Sequence, residues 1–171
     1  MPLTPNRGGK LAVKRNRKGS KRRPQTIQVW TYEQALQVLP YVASIMASLR
    51  EHQLATLRNQ LKADRLANKP GSLKRSDLIA HEEASRESGQ AEAQLFDALE
   101  ELHILDIYCL DPVQGLALIP FALDEQLAWF VFDLFDSQAL RFWRYHRDPL
   151  ETRRPVAGVP LGPPDNDSVV I

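Results

Sequence analysis

From Thr31 to Ala67 the sequence carries a hydrophobic repeat of helical period that is longer than a compact domain of its size is wide. Ala35, Leu39, Val42, Met46 and Leu49 recur at alternating spacings of four and three, and Leu54, Leu57 and Leu61 carry a narrower stripe onward, as one apolar helix face does. Residues 31–67 drawn as one helix span roughly 55 Å at 1.5 Å per residue. A compact domain of this length is about 40 Å across, so the helix must project beyond the body that anchors it. Thr31 followed three residues later by Gln34 offers reciprocal capping of unpaired backbone N–H groups and sets the start. Pro40 removes one helical hydrogen bond, which predicts a kink there or a first helix ending at Leu39. The cluster Asn68-Lys69-Pro70-Gly71-Ser72 stops the pattern.

A second helix is expected to begin at Ser76-Asp77, with a hydroxyl to cap it and a carboxylate at the positive end of its dipole, and to run to about His103. Its late part is apolar through Leu95, Phe96, Leu99 and Leu102, but from Ala80 to Gln94 its only apolar side chains are alanines. The two helices therefore form an antiparallel, coiled-coil-like hairpin whose distal packing is thin. After His103 the period shortens to extended runs separated by turn signals: Ile104 to Leu110, Leu116 to Phe121, Leu127 to Leu134 and Ala139 to Tyr145. The run LAWFVF from Leu127 is apolar on both faces, the mark of a central strand covered on each side. Links this short join antiparallel neighbours and are too short for parallel crossovers. The expected fold is α+β, a long antiparallel helical hairpin packed on a small antiparallel β-meander of about four strands.

Charge divides the chain. The first 23 residues hold four lysines, five arginines and no acid, while residues 24–171 hold the other 13 bases with all 21 acids, a formal charge of −8. The basic segment has no aromatic residue and too little apolar surface to offset the entropy of ordering it. Residues 1–26 are therefore expected to be a disordered basic tail, residues 27–155 a single α+β domain, and residues 156–171, rich in Pro and Gly, an irregular C-terminal tail. The most apolar region, Leu116 to Leu134, is interrupted by Pro120, Asp124, Glu125 and Asp133, so no membrane span is expected. With no uninterrupted apolar leader near the N-terminus, the expected compartment is the cytoplasm. A single cysteine, Cys109, excludes an intrachain disulfide and reads as a core residue.

Several local strings, in order, resemble a prokaryotic family known as domain of unknown function 2203: Thr31 through Leu39-Pro40, Gly115-Leu116 through Ile119-Pro120, Phe142-Trp143, and Arg153-Arg154-Pro155. The chain departs from that pattern at three places. Leu118 stands where the family typically has an aspartate, Arg144 where it has a histidine, and Pro149 to Thr152 where it has glycines. The resemblance implies no established activity.

The residues themselves suggest no enzyme. His52, His81, His103 and His146 fall in no metal-ligand spacing, and no phosphate loop, nucleophile elbow or dinucleotide fingerprint is present; no cofactor is expected. Asp77 and His81 share a helix face by their spacing, and Asp133, Asp136 and His146 sit on or beside neighbouring strands. Helix-surface and turn-forming roles account for the same residues.

Two functional readings remain. The first is a non-catalytic interaction protein, docking a protein partner or a second copy of itself along the projecting hairpin. The alternative is association with nucleic acid. In that reading Lys14, Arg15, Arg17, Lys18, Lys21, Arg22 and Arg23 neutralise phosphates. Arg141, Trp143, Tyr145 and Arg147, which alternation places on one strand face, stack bases. The opposing expectation for that strand is that Trp143 or Phe142 packs beneath the helices while the arginines pair with the acidic hairpin.

Overall fold

The computed structural model describes residues 26–138, 140–159, 161 and 168–170; the basic tail, Lys14 to Arg23 included, lies outside them. Strand β1 (Thr26–Gln28) leads into helix α1 (Tyr32–Ala67) and helix α2 (Arg75–Ile104), and strands β2 (Tyr108–Asp111), β3 (Leu116–Leu123), β4 (Gln126–Asp133), β5 (Phe142–Tyr145) and β6 (Arg154–Pro155) follow, with β7 (Ser168–Val170) near the end.

The capping box forms as the sequence predicts: Gln34 N–H donates to Thr31 Oγ1 at 3.1 Å and Thr31 N–H donates to Gln34 Oε1 at 2.8 Å. Helix α1 then continues through Pro40 to Ala67, so no helix ends at Leu39. Pro40 and Leu36, the residue whose carbonyl loses its partner, are both on the exposed side, where water can take the missing hydrogen bond. Helix α2 starts one residue before Ser76. Its cap is the carboxylate of Asp77, which accepts from the Lys74 N–H at 3.1 Å and from Lys69 Nζ at 2.9 Å. The helix ends where Asp106 turns to a φ of 53° and the N–H of Ile107 returns to the Leu102 carbonyl, a left-handed stop of the usual kind. This stop delays the first sheet strand to Tyr108, later than the Ile104 start expected from composition.

Strands β2 to β6 form one antiparallel sheet in sequence order. That is the expected meander extended by one short edge strand, giving five strands where about four were expected. Asp124 and Glu125 both have positive φ, 51° and 59°, the geometry of a tight two-residue hairpin turn between β3 and β4. Beyond the expected domain, β7 pairs antiparallel with β1, so Ser168–Val170 is a strand inside a region expected to be irregular.

Strand β4 is central and covered on both faces. On one face Ala128, Phe130 and Phe132 join Ala117, Ile119, Phe121 and Trp143 with Ala35 to Leu49 of α1 and Ala98 and Leu102 of α2 in the main core. Phe121 and Phe130 stack there with centroids 4.0 Å apart. On the other face Leu127, Trp129, Val131 and Leu118 pack with Ile27 and Val29. The main core takes nothing from α1 beyond Leu49, yet the helix reaches Ala67, about 27 Å further. Along that distance the buried residues are Thr56 and Ala63 of α1 and Ala84, Ser88 and Ala91 of α2. The distal seam is made of small side chains, as the alanine-only stretch predicts.

Candidate functional site

Strand β5 keeps the alternation read from the sequence, but its faces have different surroundings. Trp143 is 7% exposed and lies in the core shared with the helices. Its indole N–H donates to the Pro155 carbonyl at 3.2 Å. Tyr145 packs edge-on against it at 4.9 Å, and the Arg154 guanidinium lies over both rings at 5.3 and 5.2 Å. Of the four residues assigned to a base-stacking face, Trp143 is thus enclosed and Tyr145 half-buried; Trp143 packs beneath the helices as the opposing expectation has it, but Arg141 lies beside Asp136 rather than an acid of the hairpin. Arg141 is exposed, 3.8 Å from the Asp136 carboxylate and 4.9 Å from the Phe142 ring. Arg147 is exposed in the turn that follows. Sequence reasoning missed Arg154, whose position over the rings depends on the edge strand β6.

The carboxylates of Asp133 and Asp136 are engaged by the backbone that follows β4. Asp133 accepts from the Phe135 N–H and Asp136 from the Gln138 N–H. His146 is paired through its N–H with Leu127 at the start of β4, whereas Asp133 is the last residue of that strand. They sit at opposite ends, about 20 Å apart by strand rise, and do not converge. Asp77 is engaged by Lys69 rather than directed at His81, and the hydrogen bonds from Lys69 and Lys74 hold its carboxyl below the usual carboxylate range. Among the described residues no three His, Cys, Asp or Glu side chains are placed to hold a metal ion. No described helix is long and apolar enough to cross a membrane.

Two other features stand out. The first is one broad side of the hairpin. Leu57 and Leu61 are 41% and 56% exposed. Leu57 follows the buried Thr56, and on α2 the exposed Ser85 and Gly89 follow the buried Ala84 and Ser88. One residue turns a helix by about 100°, and on antiparallel helices that face each other this step leads to the same side. Counting outward from Tyr41, whose hydroxyl donates to Glu101, Leu57 comes level with Ser85. A Cβ built on Gly89 meets nothing within 4 Å, so the helices' own packing does not require glycine there.

The second feature is a cavity of about 270 Å³ on the outer face of the sheet, lined by Ile27, Tyr108, Leu118, Trp129, Arg144, His146 and Leu150. Arg144 is 3% exposed. Its Nη2 donates to the carbonyls of His146 and Asp148, while Nε has no partner among the described residues. Trp129 Nε1 donates to His146 Nδ1 at 3.1 Å, and burial raises the Tyr108 hydroxyl above its ordinary pKa. Alternation had placed Arg144 and His146 on a common face. The burial of Arg144 was not legible, because Ile27 of β1 and Leu150 of the loop complete the wall from distant parts of the chain, while His146 stays exposed at its rim.

The model of an uncharacterised conserved protein family, domain of unknown function 2203, matches residues 28–156. The chain belongs to that family. No curated protein and no solved structure matches it. Leu118 and Arg144, two of the positions at which the chain departs from the expected family pattern, line the same outer cavity.

Proposed function

Starting from membership in a family with no described activity, we propose that this is a non-catalytic interaction protein that associates with a second copy of itself through the distal hairpin. The observation that carries the reading is the open space at Gly89 on the same side as exposed Leu57 and Leu61. An interior helix glycine costs about 1 kcal/mol relative to alanine. Nothing among the described residues takes the room it leaves. A second hairpin laid face to face, its α2 over this α1, fits Leu54, Leu57 and Leu61 against Ser85 and Gly89, large side chains against small ones. Charge favours the same pairing. Distal α1 carries Arg58, Lys62 and Arg65, while α2 carries Glu82, Glu83, Glu87 and Glu92; α1 against α1 would oppose like charges.

Sedimentation equilibrium over a concentration series tests the reading. The wild-type chain is expected to dimerise, and Leu57→Glu with Leu61→Glu to give a monomer of unchanged helix content that unfolds where the wild type does at high dilution. A wild-type monomer at all concentrations overturns it. Titration with RNA and DNA across a salt series, with and without residues 1–23, tests the alternative in which the basic tail supplies a nucleic-acid arm.

A further inference from the structure

We propose that the outer cavity binds a small organic carboxylate, its charged end held by Arg144 and its apolar body by Leu118, Trp129 and Leu150. The argument begins with the unmatched guanidinium. A buried arginine is tolerated when an anion or a full set of acceptors meets it. Among the described residues the acceptors of Arg144 are two backbone carbonyls, which supply partial charge only, and Nε, itself screened from solvent, is left over. The nearby carboxylate of Asp148 is committed elsewhere: it accepts from the Tyr145 N–H at 2.9 Å and pairs with Arg154 at 3.0 Å.

Two other residues of the wall, His146 and Tyr108, carry groups that can donate. Because His146 Nδ1 accepts from Trp129, the proton of the neutral ring belongs on Nε2. The Tyr108 hydroxyl, raised by burial, remains a donor across the neutral range. The rest of the wall is Ile27, Leu118, Trp129 and Leu150. An anion with an apolar body matches such a wall, whereas a phosphate dianion would lack donors for most of its oxygens. About 270 Å³ lies just below the usual range for ligand pockets, which limits the occupant to roughly the size of benzoate or hexanoate.

The test is a titration of the full chain with hexanoate and benzoate, with 1-hexanol, benzyl alcohol, benzylamine and inorganic phosphate as comparisons. It is followed by calorimetry and by the indole and ring NMR signals of Trp129 and Tyr108. Both acids are expected to bind at least about ten-fold more tightly than the alcohols, as a charge-assisted hydrogen bond requires, and to shift those signals. Arg144→Met is expected to remove the preference for acid over alcohol while apolar binding persists. The ligand series on the unsubstituted chain stands by itself if that variant does not fold. Alcohols binding as tightly as acids, phosphate competing equally with hexanoate, or no acid moving the Trp129 and Tyr108 signals would each overturn the proposal.

Discussion

The indole N–H of Trp30 donates to the carbonyl of Leu105 at 3.1 Å, joining the residue before the N-cap of α1 to the C-cap of α2. The last carbonyls of a helix lack partners within it, and here one is met from 75 residues away. The same segment is fixed twice more: the Trp30 backbone N–H donates to the Pro120 carbonyl at 2.8 Å and the Gln28 N–H to Asp106 Oδ2 at 2.9 Å. Hairpin base, sheet and leading strand are thereby held at one corner. Trp30→Phe keeps most of the ring and removes the donor. It should lower unfolding free energy by about 1–2 kcal/mol, seen as a lower urea midpoint with an unchanged slope.

Gly115 and Gly89 should respond to alanine in opposite directions. Gly115 has a φ of 71°, and an added Cβ would lie 2.6 Å from Leu134 Cβ, so Gly115→Ala meets both backbone strain and overlap. A loss of about 2–4 kcal/mol is expected. Gly89→Ala meets no neighbour and should raise stability of the monomer by about 0.8–1 kcal/mol. Thermal unfolding of the two variants at one low protein concentration checks both signs together.

These residues also mark what was legible in the sequence. The capping box at Thr31, the stop at Asn68, the alanine seam and the doubly covered strand at Leu127 depend on local period and local hydrogen bonding, which a short window contains. Pro40 was legible as a perturbation, but its outcome depended on which side of α1 faces water. The cavity around Arg144 was not legible. Its walls come from β1, the outer sheet face and the loop at Leu150, and period-two alternation says which residues share a face without saying what covers it. Trp143 illustrates the same limit, since alternation grouped it with Tyr145 while the helices decided that this face is buried.

Cys109 should be a slow thiol in the native chain. Burial, with a smaller contribution from Asp111, raises its pKa to about 11 from an ordinary 9.0, and the thiolate is the reactive form. At pH 8, labelling by a disulfide reagent should be far slower than for the same chain in urea. The shift also couples to stability. Below pH 9 both states hold the proton and the contribution is fully present; between 9 and about 11 the unfolded thiol ionises first, so stability falls as pH rises through this window. Cys109→Ala should flatten that part of the profile. Equal labelling rates in native and unfolded chains would count against an enclosed thiol.

The hairpin should open from its tip. Arg50 is the last described residue of α1 tied to the sheet's loops. Its Nε donates to the Val113 carbonyl at 3.0 Å, and its guanidinium lies 5.2 Å from the Phe135 ring centroid. Beyond it the buried residues between the helices are all small, each contributing little apolar burial, and the Lys69–Asp77 pair at the tip is exposed on the lysine side. Local opening free energies follow buried contact, so amide exchange in a dilute sample should quicken from Leu49 toward Ala67 on α1 and from Ala91 back toward Arg75 on α2. Arg50→Ala should extend the fast region toward Leu49, with Leu39 to Met46 unchanged. If a second hairpin covers the distal turns, raising the protein concentration should slow exchange around Leu57, Leu61 and Gly89, and Leu57→Glu should abolish that slowing. Protection that is uniform along α1 at every concentration would mean that the distal turns are held by something other than the seam and a second copy.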